Sequence, residues 1–111
     1  MKKYKKQLVS EGTVLNLFLT KYVEPKNNAL ILEMLDGSPW ATASIIIGEA
    51  PIREDLVFIK DYSENEGILN LLKDSGVAKE VVGVCHSGYI DVPVIRIDLN
   101  EFEEFVEPDI C

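Results

Sequence analysis

The sequence predicts an α+β domain: a mainly antiparallel sheet of five to six strands, one helix packed on a face, and a short C-terminal helical turn. Two observations lead to this fold class. Most apolar segments are short or alternate with polar residues between turn residues, as strands do, whereas one segment has a long apolar stripe at helical spacing. The chain of 111 residues is long enough to bury one core without disulfides or metals.

The strongest hairpin signal is Asp36-Gly37, which separates two apolar runs. This pair suits the two positive-φ positions of a type I′ turn, which would place Leu32 opposite Ala41 and Met34 opposite Pro39. A four-residue loop would keep the same faces, whereas a loop of odd length would turn one apolar set outward. The small alanines of the second strand leave a trough that a helix can fill.

The helix for this trough is predicted over residues 64 to 75. Ser63 and Glu66 have the Ser-x-x-Glu spacing of a capping box, and Gly76 lies where a left-handed C-cap is expected. The apolar stripe between them consists of Ile68, Leu69, Leu71 and Leu72.

Further strands are predicted on either side of these elements. They are Val14–Val23, Leu56–Ile59, Val81–Cys85 and Ile90–Leu99. Ser87-Gly88 indicates a second tight hairpin between the last two. In the last strand the apolar residues change from even to odd positions near Pro93, that is, from one face of the strand to the other. Since proline also cannot donate to a sheet ladder, we expect a bulge or an edge position there.

Charge divides the chain into a mobile basic arm, residues 1–11, and a single domain, residues 12–111, that includes an acidic C-terminal segment. Four of the eleven basic residues lie in the first six positions, which leaves seven basic residues against nineteen acidic ones in the remainder. A strongly acidic body repels phosphate backbones. We therefore expect a basic protein surface as the partner and no direct binding of nucleic acid.

The two cysteines and the apolar runs bear on the compartment. Cys85 and Cys111 show no disulfide spacing, which favours a reducing environment. Ser10-Glu11-Gly12 interrupts the apolar residues that follow the basic start before a signal peptide can form. No run approaches the ~18 apolar residues of a membrane span. We expect a cytoplasmic protein that does not bind a membrane.

The sequence contains no catalytic or metal-binding motif that would identify an enzyme. His86 follows Cys85, but neighbouring residues of a strand point to opposite faces, so a thiol-imidazole pair would need a break in the alternation. One histidine, two distant cysteines and scattered carboxylates match no metal-ligand spacing. Phosphate-binding and dinucleotide-binding loops are also missing. We expect no catalytic residue, no metal and no cofactor.

The best candidates for partner binding are the acidic C-terminal run and two aromatic residues near turns. Residues 98–109 contain six acids and no base, with Phe102 and Phe105 at helical spacing. The run is either a solvated helical turn docked by its aromatic side chains or a row of charge presented to a basic partner. Trp40 and Tyr89 either anchor a partner or close the core. The acidic candidates are Glu101, Glu103, Glu104, Glu107 and Asp109.

Two motifs resemble those of a small uncharacterised family, a domain of unknown function encoded on conjugative transposons and other mobile elements of bacteria. They are Asp36-Gly37-x-x-Trp40-Ala41-Thr42 and Ser87-Gly88-Tyr89 followed by Pro93. Where that family has an Asp-Thr-Asn-Asn element before the helix, this chain has Lys60 to Asn65. The resemblance implies no activity. It implies that the gene lies among accessory genes of mobile elements, which often encode small acidic proteins acting against restriction or CRISPR systems.

Together these features favour a non-enzymatic, acidic protein-binding module that inhibits a nucleic-acid-handling defence protein, as a DNA mimic of the anti-CRISPR or anti-restriction type. Two alternatives stay open. One is a structural or regulatory homo-oligomer that pairs through an edge strand, with Ile90–Leu99 as the candidate strand. The other is a minor enzyme that uses Cys85 as its nucleophile.

Overall fold

The computed structural model describes residues 1–22, 27–47 and 53–106. It confirms the α+β fold class, with mostly antiparallel strands and one short α-helix, α1 (Ile68–Asp74), in these ranges. The strands are β1 (Lys2–Tyr4), β2 (Leu8–Ser10), β3 (Thr13–Lys21), β4 (Asn28–Met34), β5 (Pro39–Thr42), β6 (Leu56–Phe58), β7 (Glu80–Ser87), β8 (Ile90–Arg96) and β9 (Phe102–Glu104).

The strands form two sheets rather than the one sheet that the sequence predicts. The larger sheet has the order β5-β4-β3-β1-β9, and β2 pairs with β3 beyond the end of β1. The smaller sheet has the order β6-β8-β7. An isolated bridge between Ser44 and Ile59 links the chain after β5 to the end of β6. Among the described residues, no helix is long and apolar enough to cross a membrane.

One main core joins both sheets and the helix. Alternate residues of β3 point into it, as the predicted strand requires, and α1 contributes Ile68 and Leu72. The helix therefore packs on a sheet face where the sequence places it. The core residues with no exposed surface include Leu15, Leu17, Leu30, Leu32, Ala43, Val57, Ile59, Leu72 and Ile95.

The hairpin of β4 and β5 has the predicted pairing of Leu32 with Ala41 but a different turn. The Met34 N–H donates to the Ser38 carbonyl (2.9 Å), and the Gly37 N–H donates to the Met34 carbonyl (3.0 Å). This loop has three residues, with positive φ at Gly37 (89°) but not at Asp36, so the predicted type I′ turn is wrong.

A β-bulge offsets the odd length of this loop. Glu33, not Met34, lies opposite Pro39, so Trp40 is the extra residue on β5. The extra residue restores the parity that an odd loop would reverse. The apolar faces therefore still meet at Leu32 and Ala41.

The expectation of a mobile basic arm is wrong at residues 2–10. β1 lies between β3 and β9 in the larger sheet, and Tyr4 and Leu8 are buried at 2% and 1% exposure. β1 and β2 each bury a single side chain, so their sequences show no periodicity that would predict a strand. The turn after β2, Glu11-Gly12, has positive φ at both positions (49° and 83°), as a type I′ turn requires.

The helix begins later than predicted and is capped differently. Residues Ser63–Asn65 form a 3-10 turn in which Ser63 has φ 56°, so the predicted capping box is wrong. The Asp61 carboxylate instead accepts hydrogen bonds from the N–H groups of Gly67 (3.0 Å) and Leu69 (3.1 Å). The predicted C-cap is confirmed, since Gly76 has φ 81°.

The second hairpin is confirmed, but its irregular strand is not at an edge. β8 has β6 on one side and β7 on the other, so it is the central strand. The bulge lies across from it on β7, where Val82 is the extra residue. Both parities of β8 are buried because Val92 and Val94 pack in a second, small apolar cluster while Ile95 packs in the main core.

The C-terminal segment forms one 3-10 turn, Leu99–Glu101, and then the strand β9. The Asp98 carboxylate accepts a hydrogen bond from the Asn100 N–H (2.9 Å) and caps the turn. The predicted helical turn is therefore confirmed only up to Glu101, because the chain beyond it extends and pairs with β1.

Candidate functional site

The acidic residues of β9 lie beside the basic residues of β1. Glu103 is opposite Lys3 and Glu104 is opposite Lys2 in the antiparallel ladder. Opposite charges at facing positions stabilise a strand pair, by roughly 0.2–1 kcal/mol each relative to alanines. The basic start and the acidic end of the chain thus face each other within one sheet.

Glu101 has a partner within the protein as well. Its carboxylate forms an ion pair with the Lys79 ammonium, and this hydrogen bond raises the pKa of Lys79. The neighbouring Tyr4 hydroxyl donates to the Ser75 carbonyl (3.3 Å). Burial, and then the Glu101 charge, raise the pKa of Tyr4. The segment that leads into β9 is therefore tied to the body by polar contacts.

Aromatic packing fixes the same segment. Phe102 is 6% exposed, and its ring lies 5.2 Å from the Tyr4 ring between centroids. Phe105 packs against Phe18 at 5.1 Å. The structure thus places three of the predicted acidic site residues on a docked strand and its turn. The other two, Glu107 and Asp109, lie outside the described residues.

The two aromatic candidates lie in different sheets and are not brought together. Tyr89 occupies the two-residue loop of the β7–β8 hairpin and is fully exposed. Trp40 is the bulge residue of β5, with 36% of its surface exposed.

Trp40 lines a cleft of about 180 Å³ between the β4–β5 hairpin, the turn after β2 and the start of α1. Every ionisable residue of this cleft is acidic. We call it the Trp40 cleft; it is lined by Ser10, Glu11, Trp40, Glu64, Asn65, Glu66, Gly67, Ile68 and Leu71.

Asn65 holds the walls of the Trp40 cleft in place. Asn65 is buried, and its side-chain amide donates to the Thr42 carbonyl of β5 (2.6 Å). This bond ties the 3-10 turn that carries Glu64 to the strand that carries Trp40. On the other side, Glu11 occupies the type I′ turn. This hydrogen bond and the turn geometry thus bring Glu11, Glu64 and Trp40 to the lining of one cleft.

The three carboxylates of the Trp40 cleft differ in their availability. Glu64 accepts a hydrogen bond from the Lys60 ammonium (2.5 Å), which lowers the pKa of Glu64 to about 2. Within the described chain, neither Glu11 nor Glu66 belongs to an ion pair, and both are exposed. The carboxylates of Glu11 and Glu66 are therefore the ones available to bind a cation of a partner.

A wider open groove of about 710 Å³ lies on the other side of Trp40. Tyr22 and Tyr62 line it together with Lys60, whose ammonium lies 5.6 Å from the centroid of the Tyr62 ring. The Tyr22 hydroxyl shares a hydrogen bond with the Ser44 hydroxyl (2.9 Å). Trp40 therefore stands between an acidic cleft and an aromatic groove.

Cys85 and His86 do not form a pair. Cys85 packs in the small apolar cluster beside Val92, whereas the His86 imidazole bonds to the Asp91 carboxylate (2.5 Å) on the other face of β7. The strand alternation predicts this separation. Among the described residues, no three histidine, cysteine or acidic side chains lie close enough to hold a metal ion.

The sequence pattern indicates Trp40 but not the residues around it. Asn65 and Asp61 are polar residues before a helix, a position typical of caps, so the sequence does carry a local signal for a structural role of these two residues. Glu11 carries no such signal, because its closeness to Trp40 depends on the pairing of β2 with β3. Comparison of the chain with protein-family models, with curated proteins and with solved structures gives no match.

Proposed function

We propose that this protein is a non-enzymatic binding module that takes a basic segment of a protein partner in the Trp40 cleft. One observation carries the proposal: an exposed indole stands among carboxylates in a cleft whose ionisable residues are all acidic. An arginine or lysine side chain suits this surface, since its cation can lie over the indole face while its N–H groups donate to the carboxylates.

The charges favour this cleft over the C-terminal segment that the sequence suggested. The acids of β9 face lysines across the ladder and Glu101 is bound to Lys79, whereas no basic residue lines the Trp40 cleft. A partner would therefore gain more at the Trp40 cleft. Each exposed charge contact contributes roughly 0.2–1 kcal/mol, and salt screens it.

The partner class that we propose is a nucleic-acid-binding protein of bacterial defence, acting in the cytoplasm. Such proteins carry basic surfaces, and the net charge of −8 would steer this chain towards them. The resemblance of the Asp-Gly-x-x-Trp-Ala-Thr motif to a mobile-element family supports the same class. That resemblance stays a prediction.

The direct test measures binding of a fluorescein-labelled oligoarginine peptide by anisotropy at two salt concentrations. Trp40 is the single tryptophan of the chain, so its fluorescence reports contact at the cleft independently. We expect binding at low salt that weakens at high salt and changes the Trp40 emission. The double variant Glu11→Gln/Glu66→Gln should bind roughly 3- to 30-fold more weakly.

The matched control is Glu103→Gln/Glu104→Gln, which removes the same charge from β9. We expect this control to bind less than about 3-fold more weakly, since only the long-range field changes. Equal losses in the two variants would show that general acidity, not the cleft, attracts the peptide. No binding by the parent protein at low salt would contradict the proposal.

A further inference from the structure

The longest open sheet edge of the described chain is the outer edge of β7. This strand pairs with β8 on one side and has no described neighbour on the other. Val81, Val82 and Val84 on it are 40%, 46% and 52% exposed. A long, apolar, unpaired edge is a template for another strand.

The hydrogen bonding of Pro93 determines which backbone N–H and C=O groups of β7 point outward. Pro93 lies opposite Val84, and its carbonyl accepts a hydrogen bond from the Ile59 N–H (2.9 Å), away from β7. In an antiparallel ladder, facing residues bond either to each other or both away from each other. The N–H and C=O of Val84 therefore point outward, and by alternation so do those of His86.

Charge favours a second copy of this chain as the strand that pairs here. With a net charge of −8, two copies repel each other over most of their surfaces. β7 itself, however, carries a single acidic residue, Glu80, and that residue is paired. Glu80 accepts a hydrogen bond from Arg96 (2.8 Å), and Asp91 is bonded to His86. Two acidic copies can therefore approach along this apolar edge with less of that repulsion.

We infer that β7 pairs antiparallel with β7 of a second copy about a two-fold axis at Cys85. In this register, Val84 faces His86 of the other copy, so all four outward-pointing backbone positions exchange hydrogen bonds. The two Cys85 residues then face each other in a non-hydrogen-bonded pair. The smaller sheet becomes continuous across the dimer. β7 belongs to the other sheet from Trp40, so this inference does not depend on the proposed function.

The oligomeric state tests the interface, by light scattering over a dilution series. Val84→Lys places a charge on the pairing edge, and Val9→Lys is the matched control, because Val9 is a similarly exposed valine (61%) of β2. Strand pairing alone buries little surface, so we expect a dimer with a dissociation constant on the order of 10–100 μM.

We expect Val84→Lys to weaken the dimer at least about tenfold and Val9→Lys to leave it unchanged. Circular dichroism checks that both variants fold. A parent protein that stays monomeric at about 1 mM would overturn the inference. Equal effects of the two substitutions would overturn it as well.

Disulfide trapping tests the register in a Cys111→Ser chain treated with diamide. Facing residues of a non-hydrogen-bonded pair have Cα atoms about 4.5 Å apart, within the range that a disulfide spans. We expect a covalent dimer through Cys85 that Val84→Lys suppresses. A dimer that forms by light scattering but gives no Cys85 disulfide would overturn the two-fold axis at Cys85.

Discussion

The C-terminal segment and the Trp40 cleft both carry several acids, but the fold treats them differently. In the C-terminal segment the acids lie close together in sequence. Glu103 and Glu104 face lysines of β1, and Glu101 forms an ion pair with Lys79, which precedes β7. In the Trp40 cleft the acids come from separate segments, and the residues that line it include no base. The comparison teaches that a high density of charge along a sequence need not give a high density of available charge on the surface.

The same comparison applies to the aromatic residues. Phe102 is buried, and its ring packs at a tilt against Tyr4, whereas Trp40 is partly exposed on a bulge. Burial of this degree makes Phe102 part of the core. The placement of Trp40 leaves its indole available to a ligand.

Phe102→Ala should have the largest effect on stability. Removing a buried ring leaves a cavity, so we expect the free energy of unfolding to fall by about 3 kcal/mol. Trp40→Ala should cost less, because more than a third of the indole surface is already in water. Urea denaturation of both variants measures the difference. Equal losses would mean that β9 is not docked more firmly than the cleft residue.

Alkaline pH should loosen the C-terminal segment by a smaller amount. The pKa values of Tyr4 and Lys79 are raised in the folded protein. Their contribution to stability is therefore complete below the unfolded values of about 10 and is lost as the pH rises through the folded values. We expect the urea midpoint to fall above about pH 10.

The Tyr4→Phe variant separates the two groups, since it removes the phenol and keeps the ring. We expect its urea midpoint to fall less steeply with pH than that of the parent protein. An identical pH dependence in parent and variant would show that Tyr4 does not contribute.

Glu64 gives the smallest expected effect, a shift in titration with little change in stability. Its pKa of about 2 reflects the hydrogen bond from Lys60. The contribution of this carboxylate is present above its unfolded pKa of about 4.3 and is lost as the pH falls towards 2. NMR titration of the side chain measures the value.

Lys60→Met should return the pKa of Glu64 towards its ordinary value. If the Glu64 pKa is already ordinary in the parent protein, Glu64 is as available as Glu11 and Glu66. The Trp40 cleft would then offer three free carboxylates rather than two.

The parts of the fold that the sequence predicts are those with a local signal. β3 is long enough to show its alternation, β4 forms an apolar run before the Asp36-Gly37 turn, and α1 has a stripe of apolar residues and a glycine C-cap. The type I′ turn predicted for the first hairpin is wrong because an odd loop and a bulge at Trp40 together give the same faces as an even loop. The sequence pattern therefore predicts the apolar faces of the hairpin but not the length of its loop.

The parts that the sequence does not predict depend on pairing between distant segments. β1, β2 and β9 have three residues each, too few to show a period, and β9, one of the two partners of β1, lies about 100 residues along the chain from it. The Trp40 cleft has the same origin. Its indole carries a local signal beside a turn, whereas Glu11 and Glu66 reach it only through the tertiary fold.

The position of β1 between β3 and β9 also has a consequence for folding kinetics. β1 can pair with β3 early, since the two are close in sequence, but its other edge waits for residues near the far end of the described chain. The contact of Lys2 with Glu104 closes nearly the longest loop available, and contacts of such separation form late. Until then β1, an inner strand of the folded sheet, has an unpaired edge, and such an edge exposes the folding chain to aggregation.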